Sequence, residues 1–278
     1  MEKEKFEPGV YRISNERYHA SEGMSRTSLW TFKQLPQKYW FEYLSGEYQR
    51  PVDKEEFIIG ELTHTLLLEP DTFNERYYVM PKVNRTTKAG KAEYEAALQE
   101  AGDRNLINTD QSELARGMVE SLKQHNVITE ILNDEVKCEH SIYWVDEETG
   151  VTCKSRPDIW NSPLVADLKT TADASYRGFQ LSGMKNGYFL QAGMIHEALK
   201  SLGLPLEKFL FLCVEKKKPY AVGMYLLDEE ALQFGIDLFH QLLRKYAECK
   251  YRNEWPDYGI QMLMIPKYAT MELENDGI

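Results

Sequence analysis

Between residues 25 and 44, apolar side chains recur at helical spacing: Leu29, Trp30, Phe32, Leu35, Tyr39, Trp40 and Tyr43 form one broad face, with Ser25 or Thr27 placed to cap the start. Pro36 divides this helix in two, because proline has no amide hydrogen and its ring collides with the preceding turn. A second helical pattern covers 55–69 and ends at Pro70, and residues 76–80 read as a short strand. The stretch 84–105 is polar and rich in Lys and Glu, which predicts an exposed helix with loop flanks. Asp110 is placed to cap the next helix, running to about His125. Two strand-like runs, 136–145 and 151–160, flank Asp146-Glu-Glu-Thr-Gly150 and predict a β-hairpin. Residues 164–170 make a short, strongly apolar strand. A helix over 175–202, interrupted near Gly183 and Gly187, stops at Gly203. Strands follow at 209–215 and 220–227, and Asp228 caps a long final helix to about Tyr251. Residues 7–18 read as an extended lead-in.

The order is helices, three strands, a helix, two strands and a helix. It predicts an α/β fold with a central mixed β-sheet flanked by helices and extra N-terminal helices. No repeat or long linker divides the chain, so one domain over 1–278 is expected, with a helical part over about 1–130 and a core over about 131–255. No apolar run approaches the ~20 residues of a membrane span. The first eight residues lack the apolar core of a signal peptide, so a cytoplasmic location is expected.

The four cysteines, Cys138, Cys153, Cys213 and Cys249, have no zinc-ligand spacing and read as free buried thiols. Cys138 and Cys153 fall on the two strands expected to pair, but a reducing compartment argues against a bond. The formal net charge is −11. A protein that binds nucleic acid with that charge needs its cations gathered in a local groove, because phosphate neutralisation supplies most of the non-specific affinity.

One segment carries chemistry: Cys153-Lys-Ser-Arg-Pro-Asp158, then Asp167-Leu-Lys169-Thr-Thr171. Side chains alternate along a strand, so Asp167 and Lys169 emerge on one face and Leu168 on the other. Asp158 ends the preceding strand, and a short turn through Pro163 brings the chain back beside it. Two carboxylates and an ammonium then converge. Carboxylate oxygens suit Mg²⁺, and a metal beside an ammonium suits phosphodiester hydrolysis. An isolated Asp-x-Lys is ordinarily a surface ion pair; here the flanking Leu164-Val165-Ala166 marks a central strand, where an exposed pair is out of place. The sequence has no phosphate-cradling glycine loop and no nucleophilic-serine elbow.

These residues resemble the PD-(D/E)XK nuclease superfamily, and the wider pattern resembles its exodeoxyribonuclease VIII (RecE-type) members, close to RecB-like modules. Ser25-Arg-Thr-Ser28-Leu with Pro36 and Tyr39 is similar to the N-terminal helix motif of that branch. Gly60-Glu-Leu-Thr-His64 is similar to its metal-ligand histidine helix, and Tyr188-Phe-Leu-Gln191-Ala to the helix motif after the core. The resemblance implies a restriction-endonuclease-like core. It implies His64, Asp158, Asp167 and the Leu168 carbonyl as ligands of Mg²⁺ or Mn²⁺, Lys169 as the catalytic lysine, and Gln191 as a positioning group. On the residues alone, His64 would be a core histidine.

The chain departs from the family pattern at Ile195, where a tyrosine often follows the glutamine, and in the short spacing from Asp158 to Asp167. Glu139, on the strand expected to pair with the Asp158 strand, could add a carboxylate but reads first as a surface glutamate. Lys154 and Arg156 share the Asp158 face if the strand is regular, and with Arg177 and Lys185 they are the candidate DNA contacts. The resemblance further implies 5′→3′ digestion of double-stranded DNA ends, a homo-oligomeric ring such as a homotetramer, and a single-strand annealing partner in a phage or prophage setting. A single-strand exonuclease or a silent binding module on the same fold are the alternatives.

Overall fold

The computed structural model describes residues 3–49, 55–133, 136–204 and 206–265. It opens with β1 (Gly9–Tyr11), α1 (Asn15–Ala20), α2 (Arg26–Gln34), α3 (Pro36–Tyr43) and α4 (Glu55–Leu68). Pro36 does split the helix: it occupies the first turn of α3, and Leu35 before it is extended. A 3-10 turn (Pro70–Thr72), α5 (Phe73–Arg76), β2 (Tyr77–Met80), α6 (Lys88–Ala101), β3 (Asn105–Asn108), α7 (Thr109–Lys123) and α8 (Asn126–Asn133) follow. Asn108, rather than Asp110, caps α7, because Gln111 returns its hydrogen bond and completes a capping box. Neither β3 nor α8 was expected. Only Ile107 of β3 is buried, so the strand carries no apolar alternation.

The remainder runs β4 (Lys137–Cys138), β5 (Ser141–Val145), β6 (Thr152–Ser155), β7 (Ile159–Asn161), β8 (Leu164–Thr171), α9 (Tyr176–Asn186), α10 (Tyr188–Ser201), β9 (Lys208–Glu215), β10 (Val222–Leu226) and α11 (Glu229–Arg252). Asp228 caps α11 as expected. The helix expected over 175–202 breaks at Gly187 alone, and Gly183 is accommodated inside α9.

Five strands form the central mixed sheet in the order β10-β9-β8-β7-β4. Its β8 and β9 are parallel, joined by the α9–α10 crossover that parallel strands need. Strand β9 is apolar on both faces, as a strand covered by helices on both sides must be. Phe209, Phe211 and Cys213 pack with Leu190 and Ile195 of α10 and Phe239 of α11. Leu210, Leu212 and Val214 pack with Leu62 of α4 and Met118 and Leu122 of α7. A separate sheet has the order β1-β5-β6, and β2 and β3 make a parallel pair. Among the described residues, no helix is long and apolar enough to cross a membrane.

The hairpin over 136–160 departs most from expectation. Its outer half is a true hairpin, β5 with β6, but its inner half belongs to the other sheet, as β4 with β7. Both strands change sheets at the same level, one at Glu139-His140 and the other at Arg156-Pro157-Asp158. Pro157 cannot donate to a ladder, which forces the break on its strand. Opposite it, Glu139 adopts a left-handed backbone, φ 54°, and its amide donates to the Asp158 carbonyl at 3.1 Å. As a result Cys138 faces Ile159 and Cys153 faces Trp144 instead of each other. All four thiols are free, with Cys153 and Cys213 buried and the other two only partly so.

Candidate metal centre and active site

Strand β8 supplies the middle of the site. Its pleat puts Asp167 and Lys169 on the side facing α10, while Leu168 points into the core under α4 and α7. Asp167 is fully buried. Its Oδ1 accepts a hydrogen bond from Gln191 Nε2 at 2.5 Å. Its Oδ2 forms an ion pair with Lys169 Nζ, without hydrogen-bond alignment. Lys169 Nζ also lies 5.0 Å from the centre of the Tyr188 ring, close enough for a cation–π contact. Tyr188 and Gln191 stand one turn apart at the start of α10. Gly187 puts them there: it has φ 72°, and a Cβ at that position would come within 2.6 Å of the Trp30 ring.

Asp158 supplies the second part. Pairing of β7 with β8 ends at Ile159 opposite Ala166. The Leu168 amide, next along that edge, donates to Asp158 Oδ2 at 2.7 Å. The carboxylate thus takes over where the ladder stops. The same oxygen lies 3.5 Å from His64 Nδ1. His64 comes from α4, which packs against β8 at Gly60, where a Cβ would make an ordinary 3.4 Å contact with Thr170 Oγ1.

Glu139 is the carboxylate that sequence reasoning offered and then set aside as a surface glutamate. Its Oε1 lies 3.9 Å from His64 Nδ1, and its Oε2 accepts from Arg156 Nε at 2.7 Å. It is a partly buried site residue, not a surface one. A glutamate held at positive φ is costly for a residue with a Cβ, and such strain gathers at functional sites. The signal available in sequence was Pro157, which is incompatible with an uninterrupted hairpin.

The groups perturb one another strongly. Burial by itself would push the His64 imidazole down, but the Asp158 carboxylate and the Glu139 hydrogen bond lift it to about 9. Burial and the Asp167 charge raise Asp158 to about 7. Burial favours the neutral form of Glu139, yet the His64 hydrogen bond and charge, with help from Arg156, hold it below the usual carboxylate range. Burial opposes the Lys169 charge, and Asp167 and Asp158 outweigh it, raising the ammonium. This crowd of acids is stable only with cations among them.

The residues fit a divalent cation. His64, Glu139 and Asp158 each offer one ligand atom, and these atoms lie within 4.8 Å of one another. Asp167 Oδ2, buried and paired with Lys169, lies beside them. Of the ligand set expected from sequence, His64 and Asp158 come together and Glu139 joins them. Asp167 stands beside this group, engaged by Gln191 and Lys169, and Leu168 meets Asp158 through its amide.

The candidate DNA contacts fare differently. Lys154 does not point outward: its buried ammonium donates to the Tyr18 and Ser21 carbonyls at 2.6 and 2.7 Å and to Ser21 Oγ at 3.2 Å. Arg156 is likewise used internally, bonding Glu139, the Ile13 carbonyl and Ser141 Oγ. Both nevertheless line the cleft that contains Asp158. Arg177 and Lys185 are exposed on α9 but do not line the cleft of about 1360 Å³ that contains His64, Glu139, Asp158 and Gln191. Arg26 at the start of α2 does line it, and its charge reaches Lys169.

A family model described as "PDDEXK-like domain of unknown function (DUF3799)" matches residues 25–264, and the chain belongs to that family. Among solved structures, a candidate exonuclease from Eubacterium rectale superposes with a TM-score of 0.61 at 14% identity, covering 96% of this chain and all of its own. At that identity the likeness establishes the fold. A phage-related exonuclease from Haemophilus somnus 129PT matches at a TM-score of 0.34 and 14% identity, over 69% of this chain and 94% of its own, too weak to carry an argument. No curated protein matches the chain.

Proposed function

We propose that the chain is a Mg²⁺-dependent exodeoxyribonuclease that hydrolyses phosphodiesters from duplex DNA ends, in the 5′→3′ sense and in a phage or prophage setting. The observation that carries the reading is the Asp167–Lys169 ion pair standing close enough to Asp158 for both charges to act on its carboxyl, with His64 and Glu139 beside Asp158. His64, Glu139 and Asp158 would hold the ion, with Asp167 adjacent. When bound, the ion supplies an acidified water and neutralises charge on the phosphoryl oxygens.

The protein's own groups do the rest. Asp167 orients Lys169, and Gln191 fixes Asp167, so the ammonium is aimed without reorganisation where negative charge develops. Tyr188 covers one side of that ammonium and limits its motion. Arg156 locks Glu139 against His64, which keeps a ligand from swinging into solvent. Arg26 lines the same cleft and suits a phosphate. Assembly as a ring and pairing with a single-strand annealing protein are part of the proposal, and native mass measurement tests the first.

The experiment compares linear and closed circular duplex with Mg²⁺ and with chelator. Degradation of the linear form only, abolished by chelator, is expected; equal degradation of the circle refutes exonuclease action. End-labelled duplexes with one blocked end read the polarity.

A further inference from the structure

Helix α4 carries the site's histidine, and its core packing comes from Ile59, Leu62 and Leu66. Phe57 is not among these residues and is 66% exposed. Residues 57, 61 and 64 fall on one helix face, and Phe57, Glu61 and His64 all line the same cleft. Seven residues of helix place Phe57 about 10.5 Å along the axis from His64. That is about three stacked base steps of 3.4 Å.

Phe57 is not an isolated exposed ring. Leu44 and Tyr48, 47% and 37% exposed, line the cleft with it. Tyr48 is braced edge-on by Phe41 at 5.7 Å. Glu61, one turn beyond Phe57 on the cleft side, is paired with Arg76 at 3.1 Å, so the exposed rings are the uncharged part of this wall and meet a passing strand through its bases. Arg26 and Lys250 are among the cations of the lining and suit the strand's phosphates.

We infer that Phe57, with Tyr48, forms a platform on which unpaired nucleobases stack, so that the end of a duplex is opened about three nucleotides from the acids before a strand enters them. Flat aromatic faces accept any base, so such a platform favours unpaired strands without selecting a sequence. The occupant is thus an unstacked nucleic-acid strand continuous with the metal centre. This rests on the nuclease reading above and adds the residues that admit the substrate.

The test uses the full chain with Mg²⁺ and two substrates: a blunt duplex, and the same duplex with its three terminal pairs mismatched. Phe57→Ala is expected to lose about tenfold more rate on the blunt end than on the mismatched end, and Phe57→Trp to restore the wild-type ratio. Anisotropy binding of both substrates in Ca²⁺ gives a second readout, in which Phe57→Ala weakens binding of the mismatched end about tenfold. Phe57 is exposed, so the fold is kept, and a melting curve checks this. Equal losses on both ends together with unchanged binding overturn the platform. So does a variant that changes only the native mass, which would make the patch an interface between copies. If the wild type cuts neither substrate, the nuclease reading fails, and the binding comparison still decides the platform.

Discussion

Two lysines, Lys154 buried and Lys169 partly buried, stand on neighbouring parts of the fold, and the protein holds their charges by opposite means. Lys169 sits among acids: Asp167 and Asp158 overcome its desolvation and raise its pKa. Lys154 has no carboxylate against it. Its ammonium is bound by the Tyr18 carbonyl of α1 and by the carbonyl and hydroxyl of Ser21 just after that helix, and burial pushes it down to about 8. Full charge partners make an ammonium that stays protonated and available to a substrate. Neutral oxygens make a clasp whose work is finished once the N-terminal segment is tied to β6.

Replacing Lys169 should separate the two roles most sharply. Lys169→Ala is expected to lower cleavage by on the order of 10²–10³, measured by acid-soluble release from linear duplex, with the circular-dichroism spectrum unchanged. Retention of activity would erase the distinction drawn here. Within the acidic region, Glu139→Gln should weaken Mn²⁺ binding by about 10- to 100-fold in calorimetry; full-strength binding would return Glu139 to a structural role.

Lys154→Met should act on stability instead. It leaves the Tyr18 and Ser21 acceptors without their donor, which costs about 1–3 kcal/mol. A lower unfolding midpoint with turnover little changed is the expected result, and the reverse pattern would place Lys154 in the active machinery.

The smallest effect is in pH. The unfolded chain holds the Lys154 proton more tightly than the folded one, so this group opposes folding in full below about pH 8. The penalty fades as pH rises toward the ordinary lysine value of 10.5. Between those values the gap in stability between wild type and Lys154→Met should widen in favour of wild type, as read from urea midpoints. A flat difference contradicts the neutral clasp.

The comparison also shows what could be seen in the sequence. Asp167 and Lys169 were legible because β8 is a regular buried strand whose alternation continues through both of them. Asp158 was legible from the turn that returns the chain at Pro163. Pairing His64 with this set needed the resemblance, since nothing in its helix marks it off from a core histidine. Lys154 and Arg156 do line the cleft, but their internal bonds, like the inward turn of Glu139, were hidden by the assumption of a hairpin that keeps one pleat from end to end. The assumption fails at Pro157, and the left-handed turn opposite it is taken by a glutamate, where no glycine announces it. Phe57 was passed over because an exposed ring is unremarkable until the cleft beside it is known.

The double crossing at Glu139 and Asp158 sets a rule for how this chain can tolerate change. At the distal tip, Glu147 to Gly150, residues can be added without disturbing anything inward. Inside the crossing the count is fixed, because one added residue reverses the pleat of every position beyond it. Glu139 would then turn away from His64 while both sheets stayed paired, giving a protein that is sound in shape and unable to grip its ion.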